Sequence, residues 1–385
     1  MNRPEVWVLY GTRPELIKMA PVAAALDART DEIKVVRFFA GQHRELAADL
    51  FQPLGMVPDI RLDVMTSDQT LEGLGGRLLV EFGKLFSSGK RPDLVLVQGD
   101  TATVFFASLA AFLHRIPVGH VEAGLRSFDL YSPFPEEMMR RLTDRIADMF
   151  FAPTSRSAAN LRAEGISDDR IFITGNTAVD AVRLAALKSD QSVRVSTREW
   201  AESQNRFVLV TLHRRESFGE EMRNIIRGVQ QFLERNPDVG LILPVHPNPN
   251  VFSMVQEMLG EYDNALLTDS LPYFDLVYLL KRSAAVLTDS GGIQEEAPAL
   301  GRQVLVARKV TERPEGVEAG VARLVGSDTG LILRCLEEAC AQKASTEAQS
   351  GKDTPYGDGL AGARIADIVS HRLLATPRET DDWRP

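Results

Sequence analysis

The chain is poor in cysteine, in excess positive charge and in long apolar runs. Its two cysteines, Cys335 and Cys340, lie five positions apart on a helical stretch and so point to different faces. They suit neither a disulfide nor a metal site, which makes a reducing cytoplasm the expected setting. No run reaches the roughly 18 apolar residues of a membrane-spanning helix. Met1-Asn2-Arg3-Pro4 leads straight into a strand pattern rather than a secretory signal. Lys and Arg number 44 against 53 Asp and Glu, a net charge of −9. That balance argues against a general nucleic-acid or membrane-surface binder, so an anionic ligand must meet locally clustered cations. The glycine turn within Thr288 to Pro298 fits neither G-x-G-x-x-G nor G-x-x-x-x-G-K-[ST], and there is no internal repeat or low-complexity tract. What remains is an ordinary globular composition, 44% hydrophobic and 25% charged, over 385 residues. That length is enough for two domains.

What the chain does have is a repeated strand–turn–helix rhythm. The central instance is Thr288 to Pro298, T-D-S-G-G-I-Q-E-E-A-P, after the apolar run Ser283 to Leu287. A buried parallel strand, a tight turn at Ser290-Gly291-Gly292 and a helix from Ile293 would leave backbone N–H groups at a helix start, where they favour an anion such as phosphate. Glu296, about one turn further in, could accept from a ribose diol. Taken alone, such a turn also does no more than link a strand to a helix.

The same rhythm opens the chain. Glu5 to Tyr10 reads as a strand, Gly11-Thr12 as its turn and Pro14 as a first helical residue, placing Arg13 and Lys18 at a helix start. The runs Asp93 to Val97 and Pro117 to Val121 end in Asp100 and Glu122, and Tyr131 to Glu137 opens a helix with Glu136 and Glu137 in its first turn. Acids in a first turn often only complement the helix dipole. Two carboxylates at the carboxyl ends of neighbouring strands, with a third nearby, point instead to proton transfer or cation binding. In the second half, Phe207 to Leu212 and Val239 to Val245 end in His213-Arg214-Arg215 and His246. This set reads either as a solvated loop or as a phosphate clamp with a titrating histidine.

The expected fold is therefore α/β: two doubly wound Rossmann-like domains with the site in the cleft between them. Residues 1–187 form the first, 188–205 a polar linker with some helix near Trp200, and 206–359 the second. A last helix spans about 360–375, and the polar tail from Thr376 is expected to fray.

Ten collinear motifs resemble the non-hydrolysing UDP-N-acetylglucosamine 2-epimerases. They include G-T-R-P-E at 11–15, G-Q-H-R-E at 41–45, Q-G-D-T at 98–101, H-V-E-A-G-L-R at 120–126, P-E-E at 135–137 and H-R-R-E-S at 213–217. The central stretch, T-E-R-P-E at 311–315 and P-Y-G-D-G at 355–359 continue the series. The resemblance implies a GT-B-type arrangement with the last helix crossing back to the first domain. It also implies a cytoplasmic homodimer interconverting UDP-N-acetylglucosamine and UDP-N-acetylmannosamine, with no metal or nicotinamide, for cell-surface polysaccharide. By the same resemblance Asp100, Glu122, Glu136 and His213 are catalytic. Arg13, Lys18, Arg140, His213 and Arg313 contact the substrate or its leaving group. Ser290, Gly291 and Gly292 cradle the diphosphate, Glu296 meets the ribose, and Leu271 and Leu276 lie at the uracil. Gln42 and His43 would belong to a second, regulatory substrate site. A hydrolysing epimerase, a glycosyltransferase and a catalytically silent UDP-sugar sensor are the alternatives.

Overall fold

The computed structural model describes residues 3–41, 47–66, 69–89, 91–213, 219–246, 248–341 and 354–384. The chain divides into two compact units, Met1–Ala181 with Tyr356–Pro385, and Val182–Pro355. Gln42, His43 and residues 214–217 lie outside the described residues.

In the first unit, β1 (Glu5–Tyr10), α1 (Arg13–Asp27), β2 (Lys34–Phe39), β3 (Ile60–Arg61) and α2 (Leu71–Ser87) come first. β4 (Leu94–Gln98), α3 (Ala102–Leu113), β5 (Val118–Val121), α4 (Glu136–Ile146), β6 (Met149–Ala152), α5 (Ser155–Ala163) and β7 (Ile171–Ile173) complete its sheet. All pairings are parallel, in the order β3-β2-β1-β4-β5-β6-β7. Parallel strands covered on both faces must be apolar throughout, and β1, β4, β5 and β6 are buried almost end to end. Trp7 stacks on Phe38 at 5.3 Å and Phe38 on Phe82 at 5.1 Å, filling one face under α2.

α6 (Thr177–Ser192) leads into the second unit, followed by α7 (Val195–Ser203), β8 (Phe207–Thr211), α8 (Glu220–Arg235) and β9 (Gly240–Pro244). Next come α9 (Pro249–Leu259), β10 (Ala265–Thr268), α10 (Tyr273–Arg282), β11 (Ala285–Thr288) and α11 (Gly291–Ala299). β12 (Val304–Val306), α12 (Pro314–Glu318), β13 (Ala322–Leu324) and α13 (Thr329–Ala341) close the unit, and α14 (Ala361–Leu374) returns to the first. This parallel sheet runs β10-β9-β8-β11-β12-β13, with an apolar core on each face. In both sheets the first strand of the unit lies beside its fourth, where the winding direction reverses and ligands of such sheets bind. The fold is thus α/β, with two doubly wound Rossmann-like sheets.

Three expectations change. The polar stretch 188–205 is no linker but the end of α6 and all of α7. Asp275 organises it by accepting from Arg194 N, Arg194 Nε and Thr197 Oγ1 at 3.1, 2.5 and 2.6 Å. The tail does not fray: Trp383 is buried, its backbone N–H donates to Ile173 O at 2.7 Å, and Asp367 accepts from Glu379 and Thr380. The tail thereby covers β7, an edge strand that would otherwise offer unpaired backbone. The helix expected from Ile293 starts at Gly291 instead, so the two glycines form its first turn.

α14 is anchored by another segment of its own unit. Its N-cap residue Leu360 supplies no side-chain cap. The Asp180 carboxylate on α6 accepts from Gly362 N at 2.8 Å instead. Burial, with a smaller contribution from the Asp358 charge, pushes the Asp180 pKa up to about 6 against its backbone donors.

Candidate functional site

In the first unit, the candidate side chains sit at the carboxyl ends of β1, β4 and β5 and at the start of α4. Thr12 caps α1, and Glu15 completes a capping box. Glu15 also accepts from Gly11 N at 2.7 Å and from Thr101 Oγ1 at 2.7 Å, tying the turn after β1 to the turn after β4. Burial drives its pKa up against these bonds. Arg13 is half-buried at the start of α1. Lys18, one and a half turns along, holds Glu122 Oε2 at 2.6 Å, and Gln98 Nε2 donates to the same oxygen at 2.6 Å. A cation expected at a leaving group is therefore shared with a candidate base.

Glu122 has φ +67°, a left-handed conformation costing a non-glycine residue roughly 1–3 kcal/mol. The backbone holds it there, since Glu122 N and Ala123 N both donate to Phe151 O, at 3.0 and 3.2 Å. Arg140 on α4 bonds Asp100 through Nη2 and Glu137 Oε2 through Nη1 at 2.5 Å. Burial works against the Arg140 charge, but Asp100, Glu137 and Glu122 outweigh it and raise its pKa. Lys18, Asp100, Glu122 and Arg140 thus form one electrostatic cluster. Glu136, the first residue of α4, is half-buried and its side chain makes no hydrogen bond among the described residues. Glu137 beside it is fully buried, and its Oε1 has no partner among them.

In the second unit, β8 and β11 run in register to Thr211 and Thr288, whose hydroxyls meet at 2.6 Å. This brings the two strand ends side by side. Buried Asp289 accepts from His213 N at 3.0 Å and lies 3.1 Å from His213 Nδ1, while the imidazole stays more than half exposed. Ser290 is the N-cap of α11 but makes no side-chain cap. The first N–H groups of the helix are therefore available to an anion. A Cβ at Gly291 would stand 2.6 Å from Arg313 Nη1, so only glycine lets the guanidinium lie over the helix start. That contact explains the glycine at the first helical position. Arg313 is in turn held by Glu295 and Glu312, at 2.6 and 2.7 Å. Gly292 and Glu296 are half-buried on the same helix. Leu271 is buried in the core on one face of the sheet, and Leu276 on α10 packs partly against it.

Gln98, Glu137, Asp289, Glu295 and Glu312 were not singled out by sequence as contacts of the site. Gln98, Asp289 and Glu295 meet partners from a different strand or helix, which no local spacing signals, whereas Glu137 and Glu312 pair with Arg140 and Arg313 three and one residues away, a local spacing that could have shown them. Among the described residues no helix is long and apolar enough to cross a membrane.

The sequence profile of the family described as UDP-N-acetylglucosamine 2-epimerase matches residues 24–370. The UDP-N-acetylglucosamine 2-epimerase of Escherichia coli K12 is 42% identical over 376 residues, covering 96% of this chain and all of that one. The crystal structure of UDP-GlcNAc 2-epimerase from Neisseria meningitidis bound to UDP-GlcNAc shares 38% identity at a TM-score of 0.85, covering 97% of this chain and all of that one. The Methanocaldococcus jannaschii UDP-GlcNAc 2-epimerase, crystallised with UDP-GlcNAc and UDP, follows at 34% identity and a TM-score of 0.80, over 95% and 99% of the two chains. On these matches, the chain is a member of the UDP-N-acetylglucosamine 2-epimerase family of isomerases.

Proposed function

We propose that the protein interconverts UDP-N-acetylglucosamine and UDP-N-acetylmannosamine at C2 without hydrolysis, eliminating UDP and adding it back. The observation that carries this reading is the first-unit cluster, where three candidate carboxylates belong to strand ends and a helix start interlocked by Lys18 and Arg140.

The C2 proton of the sugar is not adjacent to a carbonyl, so direct abstraction near neutral pH is very slow. Departure of the diphosphate from C1 gives that carbon cationic character and acidifies C2–H. Two tasks follow: stabilising an anionic leaving group, and holding bases around C2. Asp100, Glu122 and Glu136 suit the second. For the first, the second unit offers the start of α11 at Ser290 to Gly292, with Arg313 over it and His213 held by Asp289. Arg13 and Lys18 add positive charge from the first unit, and Glu296 is placed one turn into α11 for a ribose diol. The C2 proton goes to one carboxylate, a glycal-like intermediate forms while UDP stays bound, and a proton returns from the opposite face before UDP re-adds at C1. UDP-GlcNAc bound to the Neisseria relative supports the substrate assignment.

The test is incubation with UDP-GlcNAc in D2O, followed by NMR. Deuterium at C2 with UDP still attached is the expected result. Free N-acetylmannosamine would instead mean hydrolysis, and an unchanged sugar would mean a sensor or a transferase lacking its acceptor. Assembly as a homodimer and supply of a cell-surface polymer precursor belong to the same reading.

A further inference from the structure

Behind the carboxylates lies a second set of charges that the mechanism above does not use. His120 on β5 is wholly buried, with Nδ1 2.7 Å from Asp144 Oδ1 and Nε2 2.8 Å from the Gly99 carbonyl oxygen. Asp144 also accepts from Arg126 Nη2 at 2.7 Å and from Gly124 N at 3.3 Å, and Arg126 bonds Glu164 at 2.7 Å. Burial opposes the Asp144 charge, but His120 and Arg126 outweigh it and hold its pKa below the ordinary carboxylate range. Each ring nitrogen of His120 therefore faces an oxygen, the Asp144 carboxylate on one side and the Gly99 carbonyl on the other.

Each arm of this buried pair ends at a segment carrying one candidate carboxylate. The Gly99 carbonyl belongs to the residue before Asp100, in a turn with φ +86° that favours glycine. His120 itself stands two residues before Glu122 with its left-handed backbone. Asp144 lies on α4 in the series Glu136, Arg140, Asp144, at four-residue spacing and hence along one stripe of the helix. On that stripe Asp144 meets His120 and Arg140 meets Asp100, while the third rung is Glu136 at the helix start. A hydrogen-bonded pair removed from water holds its geometry stiffly, because displacing either partner leaves the other buried and unsatisfied.

We infer that His120 and Asp144 are positioning residues: the pair fixes the spacing of Asp100, Glu122 and Glu136 through the Gly99 carbonyl, the β5 end and α4. The inference rests on the proposed reaction. Misplacing a reacting group by about 1 Å costs on the order of 100-fold in rate, so a brace of this kind acts on kcat rather than on substrate affinity.

Two substitutions separate its arms. In His120→Asn the amide nitrogen can take the place of Nδ1, keeping the Asp144 bond and releasing Gly99. In His120→Gln the amide nitrogen can reach the place of Nε2, keeping Gly99 and releasing Asp144. The measurements are urea unfolding and kcat and KM for C2 exchange in D2O. His120→Asn should be the more stable variant, yet lose about 100-fold in kcat with KM almost unchanged. His120→Gln should be the less stable variant and retain more kcat. A purely structural histidine would make kcat follow stability in both, and that ranking overturns the inference. Should His120→Gln not fold, His120→Gln with Asp144→Asn relieves the buried charge, and a kcat no better than that of His120→Asn overturns it equally. Wild-type protein that exchanges C2 while His120→Asn keeps full kcat sinks the brace alone. Wild-type protein that exchanges nothing sinks the reaction on which it rests.

Discussion

In the first unit two of the three candidate carboxylates are gripped by other charged or polar groups, Glu122 by Lys18 and Gln98 and Asp100 by Arg140, itself held by Glu137, while Glu136 makes no hydrogen bond among the described residues. The second unit grips the groups around its helix start, Arg313 by Glu295 and His213 by Asp289, and leaves the first turn of α11 and the imidazole open. The contrast matches two kinds of work. Proton transfer needs its groups held within a fraction of an ångström, which interlocked partners provide at Asp100 and Glu122. Holding a diphosphate needs donors whose own hydrogen bonds are unmade until the ligand comes.

The contrast is broken or sharpened by substitutions on the two sides. The largest effect is expected at Glu136→Gln, which keeps the shape of the side chain but removes the carboxylate. Exchange at C2 should fall by about 10³-fold or more, with KM within a few-fold of wild type. A near-wild-type rate by NMR in D2O would remove Glu136 from the mechanism. Next comes Gly291→Ala, whose methyl would displace the Arg313 guanidinium from 2.6 Å. UDP affinity by calorimetry should weaken about tenfold, the loss of roughly one charge-assisted hydrogen bond, with kcat at saturation much less affected. A drop in kcat without a change in affinity would erase the distinction between the units. Asp289→Asn should give a smaller loss, because the His213 backbone N–H keeps its acceptor while the imidazole loses a charged neighbour at 3.1 Å. UDP affinity by calorimetry is the measurement, and it should weaken by no more than a few-fold.

The smallest effect concerns stability alone. Asp180 titrates at about 6 in the folded protein, above its ordinary value, so folding favours its protonated form. Its contribution is fully present below the unfolded pKa near 4 and is lost as pH rises through about 6. Asp180→Asn keeps an acceptor for Gly362 N without a buried charge. It should raise Tm at pH 8, by at most about 3 kcal/mol of stability, and the gain should vanish near pH 4. An equal gain at both pH values would contradict the titration.

Much of the fold was legible because parallel strands covered on both faces are apolar runs. Glu5–Tyr10 was recovered to the residue, and the strands before Asp100, Glu122 and His213 to within a residue or two. β3, β10 and β13 were not recovered, being two to four residues long and at or beside a sheet edge, too short for any periodic signal. The tail was misread because its polar composition hides Trp383, the one large apolar group that seats it. At the site, sequence placed the groups at strand ends. It could not show that Lys18 faces Glu122, or that Arg140 joins Asp100 to Glu137, since those pairings depend on how β1, β4, β5 and α4 lie beside one another.

The return of α14 and the tail to the first unit bears on how the polypeptide is made. Strand β7 receives its cover from Trp383, and α1 packs so closely on α14 that Gly362 lies against the Pro21 carbonyl. A ribosome that has delivered the first 181 residues has therefore delivered an amino-terminal sheet with an uncovered flank, which must wait for the whole intervening unit before it is sealed. Contacts so distant along the chain form slowly, and until they do, that flank is where a nascent chain would engage a chaperone or another unfinished copy.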